Sequence, residues 1–369
     1  MNLTRRTLLA RLLAAGPALG LGWSGADEID VDIDRRIIAA AGRAKLKLLF
    51  AGSTDEEARR WQAQFRKVLE QLLGDSRPPK TWSIDTESRD ELADHVRYQL
   101  VLNADGVDPL PLYLLVPTAK AAPGRRPAVL CVHGHGAFGH HPVAGRRDLP
   151  GVAENIASLH YDYGLQFVRR GYVVAAPCMI PFGRRVDRER YGKTDPCAIT
   201  FVRMLALGQL SITANLRDLR WAISLLATRP EVNPSAIGCA GLSYGGRMTM
   251  LVSAIDRRIK VAAVSGALNL LQERITHRYS CGSQIIPRLL EYGDYPEIGS
   301  LIAPRPCVWE VGDQDGLIVP GWDQKFRDRL GRVYRALGVA GNLTFDDFSG
   351  GHRWNGRVAY PLFDSVLKA

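Results

Sequence analysis

Downstream of residue 126, short apolar runs recur at strand length, at 127–132, 172–176, 236–241, 261–265, 306–311 and 343–348. Amphipathic stretches with a three- to four-residue period lie between several of them, notably 154–170, 209–228 and 322–337. Apolar strands alternating with helices predict a mostly parallel sheet covered on both faces. Just upstream, His95–Leu102 and Leu110–Val116 alternate and are rich in strand formers, with a turn over 103–109, which predicts a hairpin leading into that sheet. Further upstream the period is helical. Ile33, Ile37, Ala41, Ala44 and Leu48 share one face, as do Trp61, Phe65, Leu69 and Leu73. Gly52-Ser53-Thr54-Asp55 interrupts them, with Ser53 or Thr54 as the expected helix cap, and Arg77-Pro78-Pro79 ends the run. Residues 27–94 therefore read as an N-terminal helical extension and 95–369 as the α/β domain. Residues 266–304 are too long for a simple connection and are expected to form an insertion near a pocket.

The first residues follow a different logic. Arg5-Arg6 precedes the apolar run Leu12–Leu21, and Ser24-Gly25-Ala26 supplies small residues at a cleavage spacing. That order is the pattern of a twin-arginine export signal over 1–26, which predicts a mature chain in the periplasm or outside a bacterial cell. The run falls short of the roughly 18 to 20 apolar residues of a permanent anchor, so no stable membrane attachment is expected. The formal charge of +10 drops to +7 once Arg5, Arg6 and Arg11 leave with that segment. Arginines are scattered, and no groove-reading motif accompanies them, so no nucleic-acid partner is expected. The six cysteines show no close-spaced metal or redox pair. Cys131, Cys239 and Cys307 lie in apolar runs. Cys178, Cys197 and Cys281 lie in loop-like sequence, where an oxidising compartment predicts one disulfide with its pairing open.

The chemistry gathers around Gly241-Leu242-Ser243-Tyr244-Gly245-Gly246, which follows one apolar strand and opens a helical pattern. Gly-x-Ser-x-Gly in that setting is a nucleophile elbow, in which a sharp strand-to-helix turn pushes the serine hydroxyl above the sheet edge. A serine so placed needs a base, and the base an orienting acid, later in the chain and in the order acid, then histidine. Asp315, after the run 306–311, is the expected acid, with Asp313 as its competitor. His352, after the run 343–348 and Gly350-Gly351, is the expected base. The N–H of Tyr244 and an N–H from the loop His133-Gly134-His135-Gly136-Ala137-Phe138-Gly139 should form the oxyanion hole, with His135 as the second donor and Gly136 as runner-up. The same loop and its continuation carry His133, His135, His140 and His141. Neither a Cys–His pattern nor a helical His-x-x-x-His pair is present, so no metal is expected.

Taken together, these features resemble a bacterial group of α/β-hydrolases close to the acetyl xylan esterases and the dienelactone-hydrolase-like proteins, over roughly residues 95–369. The resemblance rests on His133-Gly134-His135-Gly136, Pro181-Phe182-Gly183-Arg184, Arg229-Pro230-Glu231-Val232, the Ser243 elbow, Asp256-Arg257-Arg258-Ile259-Lys260, Ala303-Pro304-Arg305-Pro306 and the Asp315 and His352 loops. It implies the α/β-hydrolase fold and hydrolysis of a small-molecule or polysaccharide carboxylic ester without metal or organic cofactor. The chain departs from the name-giving dienelactone hydrolases in carrying Ser243 where they carry cysteine. Phe138, Arg184 and Trp354 are the candidate substrate contacts, Trp354 (with Tyr191) as a sugar-stacking aromatic and Arg184 (with Arg185) for an acidic group such as a uronate. Two other readings share the elbow. One is a serine peptidase of the prolyl-oligopeptidase type, although 27–95 are too few residues for a propeller. The other is a non-catalytic binding protein.

Overall fold

A computed structural model describes residues 31–119, 125–192, 194–277 and 280–369. The elements run α1 (Ile33–Gly42), α2 (Asp55–Leu73), β1 (Ser83–Glu91), β2 (His95–Asn103), β3 (Leu110–Pro117), β4 (Arg126–Val132), α3 (Val152–Leu159), α4 (Tyr163–Arg169), β5 (Val173–Pro177), α5 (Pro196–Ala206), α6 (Ser211–Thr228), β6 (Val232–Leu242), α7 (Tyr244–Ile255), β7 (Ile259–Ser265), α8 (Leu271–His277), α9 (Tyr295–Ser300), β8 (Cys307–Gly312), α10 (Trp322–Ala336), β9 (Leu343–Phe348) and α11 (Ala359–Leu367). The chain divides into residues 1–37, of which the described part begins α1, and a unit spanning 38–369. The expected export signal, 1–26, lies outside the described residues. Among those described, no single helix is long and apolar enough to cross a membrane.

The strands form one sheet in the order β1-β2-β3-β5-β4-β6-β7-β8-β9. β1, β2, β3 and β5 pair antiparallel, and from β5 across to β9 every pairing is parallel. Side chains alternate faces along a strand, and they sort into two cores accordingly. Ala128, Leu130 and Val132 of β4 join α2, α6, α7, α9 and α10, whereas Val129 and Cys131 join α3, α4 and α11. This is the expected α/β-hydrolase architecture, a mostly parallel central sheet flanked by helices. All of the loops that carry candidate chemistry leave the C-terminal edge of its parallel strands, where open α/β sheets bind ligands.

Three sequence expectations need correction. Residues 27–94 are not wholly helical, because Ser83–Glu91 is a strand that pairs with β2. It is an edge strand with no buried residue, so it carries no hydrophobic face to read. The helix expected to reach Leu48 ends at Gly42, and Leu46 (φ 47°) turns left-handed. The helix expected over 154–170 is two, α3 and α4, parted at His160 (φ 51°). Thr54, rather than Ser53, caps α2. Its hydroxyl accepts the Glu57 N–H at 3.3 Å, and the Glu57 carboxylate accepts the Thr54 N–H at 3.1 Å. Trp61, Phe65, Leu69 and Leu73 of that helix are buried in the first core.

Candidate active site

Ser243 joins β6 to α7 with φ 64° and ψ −122°, a conformation a residue with a Cβ adopts only when its surroundings impose it. The surroundings are visible. The Ser243 N–H donates to the Ser265 carbonyl on β7 at 2.8 Å, and its carbonyl accepts the Arg247 N–H at 3.0 Å, closing the first turn of α7. At Gly245 any side chain would collide with the Val132 carbonyl, so the helix can start beneath the serine only because that residue is glycine. The N-terminus of α7 thus points its partial positive charge at the elbow.

The acid and histidine loops meet there. His352 Nδ1 lies 2.8 Å from Asp315 Oδ2. Asp315 is 5% exposed, and its other oxygen accepts the Leu317 N–H at 2.9 Å. The His352 ring lies over Gly266, the residue after Ser265. A Cβ on Gly266 would stand 2.7 Å from His352 Cε1. One short segment of chain, Ser265-Gly266, therefore touches both the serine and the histidine. Asp313 does something else. Its Oδ1 accepts the Gly350 N–H at 2.9 Å, and its own N–H donates to the Phe348 carbonyl at 2.9 Å. It staples the acid loop to the histidine loop, which separates the two competing aspartates by role.

The loop after β4 reaches the same place. A Cβ on Gly134 would stand 2.9 Å from Ser243 Cβ, so this backbone runs directly beside the elbow. The Gly134 N–H is taken by the Tyr161 hydroxyl, whereas the His135 N–H has no acceptor among the described residues. Tyr244, as the first residue of α7, has no intrahelical acceptor for its N–H. His133, fully buried, ties the loop down. Its Nε2 accepts the Met179 N–H at 2.9 Å, which leaves Nδ1 to donate to the Gly134 carbonyl at 2.7 Å. Burial holds that imidazole down at about 4, so it stays neutral in this tautomer. His141 donates to or accepts from the Tyr113 hydroxyl at 2.9 Å, and His140 stacks on His141 and lies tilted against Tyr113, both at 4.8 Å. The four histidines do not converge on a common point.

Of the candidate substrate contacts, Trp354 is corrected and Arg184 is already paired. Trp354 is 2% exposed, stacks on Tyr163 at 4.7 Å and donates its Nε1 proton to the Tyr360 hydroxyl at 3.0 Å, so it is packing and not a sugar platform. Arg184 forks onto Glu87 of β1, with its Nη2 at 2.7 Å, and Arg185 is buried against Asp218. Both guanidinium groups already have carboxylate partners. Phe138 is half-buried and its ring packs at Gly151. Tyr191 pairs with Arg203, whose Nη1 donates to its hydroxyl at 3.0 Å. The expected disulfide is also absent, since all six cysteines are buried free thiols, with Cys178 Sγ donating instead to the Phe182 carbonyl at 3.2 Å. Sequence reading missed Tyr161, Gly266 and Glu310. Glu310 is fully buried on β8, and its carboxylate accepts the Gly356 N–H at 2.9 Å behind the histidine loop. No motif marks these three, because Tyr161 and Glu310 act on backbone N–H groups and Gly266 acts by lacking a side chain where the His352 ring packs.

A model of the dienelactone hydrolase family matches residues 147–277. The Bacillus subtilis (strain 168) protein YtaP, which carries the provisional name of a hydrolase, is 30% identical over 292 residues, covering 76% of this chain and 90% of YtaP. The chain belongs to the dienelactone hydrolase family. Among solved structures, a protein from Bacteroides fragilis provisionally named an acetyl xylan esterase superposes with a TM-score of 0.72 at 18% identity, over 93% of this chain and 92% of its own. A glucuronoyl esterase from Solibacter usitatus gives 0.61 at 15% identity, over 86% and 96%. At such identities the likeness establishes a shared fold. Membership of the dienelactone hydrolase family makes the chain a hydrolase, and the serine at its elbow makes it one of the serine type.

Proposed function

We propose that the protein is an exported carboxylic-ester hydrolase that acts on acylated carbohydrate through Ser243, His352 and Asp315. The observation that carries this reading is the 2.8 Å contact between His352 and the buried Asp315, with the ring packed on the segment that also holds Ser243. In this reading His352 Nε2 takes the hydroxyl proton as Ser243 attacks the ester carbonyl, and Asp315 keeps the other ring proton on Nδ1 and steadies the imidazolium. The Tyr244 and His135 N–H groups receive the negative charge that develops on the carbonyl oxygen, a contribution of roughly 3 kcal/mol per donor where it has been measured by removal. The protonated His352 then returns its proton to the leaving alcohol. A water deprotonated by the same imidazole releases the acid from Ser243. The structural neighbours named as acetyl xylan and glucuronoyl esterases support an ester on a plant-type polysaccharide as the substrate class. Export rests on the Arg5-Arg6 signal pattern. The test is a panel of p-nitrophenyl acetate, acetylated xylo-oligosaccharide, a glucuronate ester and an aminoacyl anilide, each with wild type and Ser243→Ala. Turnover of the esters that vanishes in the variant is expected. Efficient anilide cleavage with negligible ester turnover overturns the reading in favour of a peptidase.

A further inference from the structure

The chemistry above uses only the backbone of His135, and its imidazole faces elsewhere. One ring nitrogen of His135 and the sulfurs of Cys197 and Cys281 all lie within 4.8 Å of one another. The three come from separate parts of the chain, His135 from the loop after β4, Cys197 from the first turn of α5 and Cys281 from the insertion between β7 and β8. Cys197 is 3% exposed and Cys281 8% exposed. His135 Nε2 is covered and has no hydrogen-bond partner among the described residues, a costly state for a polar atom unless something else satisfies it.

We propose that His135, Cys197 and Cys281 form a binding site for a single borderline-soft divalent cation of the Zn2+ type. Metal–sulfur bonds of about 2.3 Å and metal–nitrogen bonds of about 2.0–2.1 Å place tetrahedral donors ~3.3–3.8 Å apart, so a cluster already within 4.8 Å closes by rotamer adjustment. Charge balances as well. Two thiolates and a neutral imidazole neutralise a dication, and the thiol protons displaced on binding pass to solvent. Three protein donors leave one position for water. Chemically, the donor set suits zinc or cobalt and disfavours the hard cations magnesium and calcium. In the fold, the ion would clip the loop that bears the His135 N–H to α5 and to the insertion, which joins three elements that bonding along the chain leaves far apart. This inference stands on the donor geometry and does not depend on which ester, if any, is hydrolysed.

The test uses the full chain, purified under reducing conditions, with all six thiols verified by thiol titration of the unfolded protein before Co2+ is added. One Co2+ per chain is expected, with thiolate-to-cobalt charge transfer in the near ultraviolet and the intense visible bands of tetrahedral cobalt. Zn2+ should abolish both by displacement. Cys197→Ser and Cys281→Ser should each lose the charge-transfer band or weaken it severely, and the rise in melting temperature with Zn2+ seen in wild type should disappear in both. A fully reduced wild-type chain that shows no charge transfer overturns the proposal, whatever the folding behaviour of the variants. So does a band that persists undiminished in both serine variants, which would put the cation elsewhere. A Cys197–Cys281 disulfide in the isolated protein whose reduction yields no cobalt binding overturns it too, and assigns the pair to a crosslink.

Discussion

Gly266→Ala should disable the enzyme while leaving it folded. Gly266 has φ +59°, and a Cβ there would stand 2.7 Å from His352 Cε1 and 3.1 Å from His352 Nδ1 and Leu242 Cδ1. The left-handed backbone costs an alanine about 1–2 kcal/mol, a loss a domain of this size survives. The contact does more. Non-bonded carbons rest at ~3.5–4.0 Å, so the imidazole must retreat by about 1 Å. Displacement of a reacting group by that much costs on the order of 100-fold in rate, about 3 kcal/mol of barrier. Steady-state kinetics on p-nitrophenyl acetate, with thermal unfolding of the same preparation, measure both effects. Gly316→Ala is the control, since Gly316 adjoins Asp315 yet a Cβ there meets nothing within 4 Å. The expected result is a kcat loss of about two orders of magnitude in Gly266→Ala, with a melting temperature a few degrees lower, and little change in the control. Wild-type kcat in a folded Gly266→Ala protein refutes the placement of His352 against this segment.

Asp315→Asn should lower kcat by about 10,000-fold, because the Asn carbonyl stays on the Leu317 N–H and turns its NH2 toward His352 Nδ1, which holds the ring in the wrong tautomer and removes the charge that steadies the imidazolium, whereas Asp313→Asn, which still offers a carbonyl oxygen to the Gly350 N–H, should stay within a few-fold of wild type; the reverse pattern would exchange the roles of the two aspartates. Trp354→Phe should lose about 1 kcal/mol of stability with its bond to Tyr360, and Arg184→Ala less than that, as for a part-exposed ion pair, with KM on sugar esters unchanged in both. A raised KM at normal stability would restore a substrate contact. Burial pushes the Glu310 carboxyl up to about 7 from an ordinary 4.5. Its contribution to stability is therefore full below the unfolded value and is lost as pH rises through about 7, roughly 3 kcal/mol when complete. Melting curves should show Glu310→Gln gaining on wild type between about pH 5 and pH 8, and a constant difference across that range would contradict the buried acid.

How much of this was legible in the chain depends on whether a residue acts through its side-chain type or its surroundings. The elbow was legible because strand, Gly-x-Ser-x-Gly and helix are adjacent in sequence, and the central strands because each is a short apolar run. Asp315 and His352 were legible from their place after such runs. β1 was not, because Ser83–Glu91 has no buried face to impose a period. The break at His160 was not, because α3 and α4 share an apolar period across a left-handed residue that only three-dimensional fit requires. That break leads into Tyr161, whose hydroxyl takes the Gly134 N–H and leaves the next amide free. Trp354 misled in the opposite direction. A loop aromatic reads as exposed until Tyr163 is seen stacked on it. Cys197, Cys281 and His135 are widely separated in the chain, and no spacing rule brings them together; the topology does.

Ser243 as the nucleophile is the centre of the account, and covalent labelling tests it most directly. The full chain is treated with a fluorophosphonate and mapped by peptide mass spectrometry, with p-nitrophenyl acetate turnover followed alongside. One phosphonyl group on Ser243, with turnover lost in step with labelling and neither label nor turnover in Ser243→Ala, is the predicted result. A label carried by another residue, or ester turnover that survives in Ser243→Ala, would contradict it.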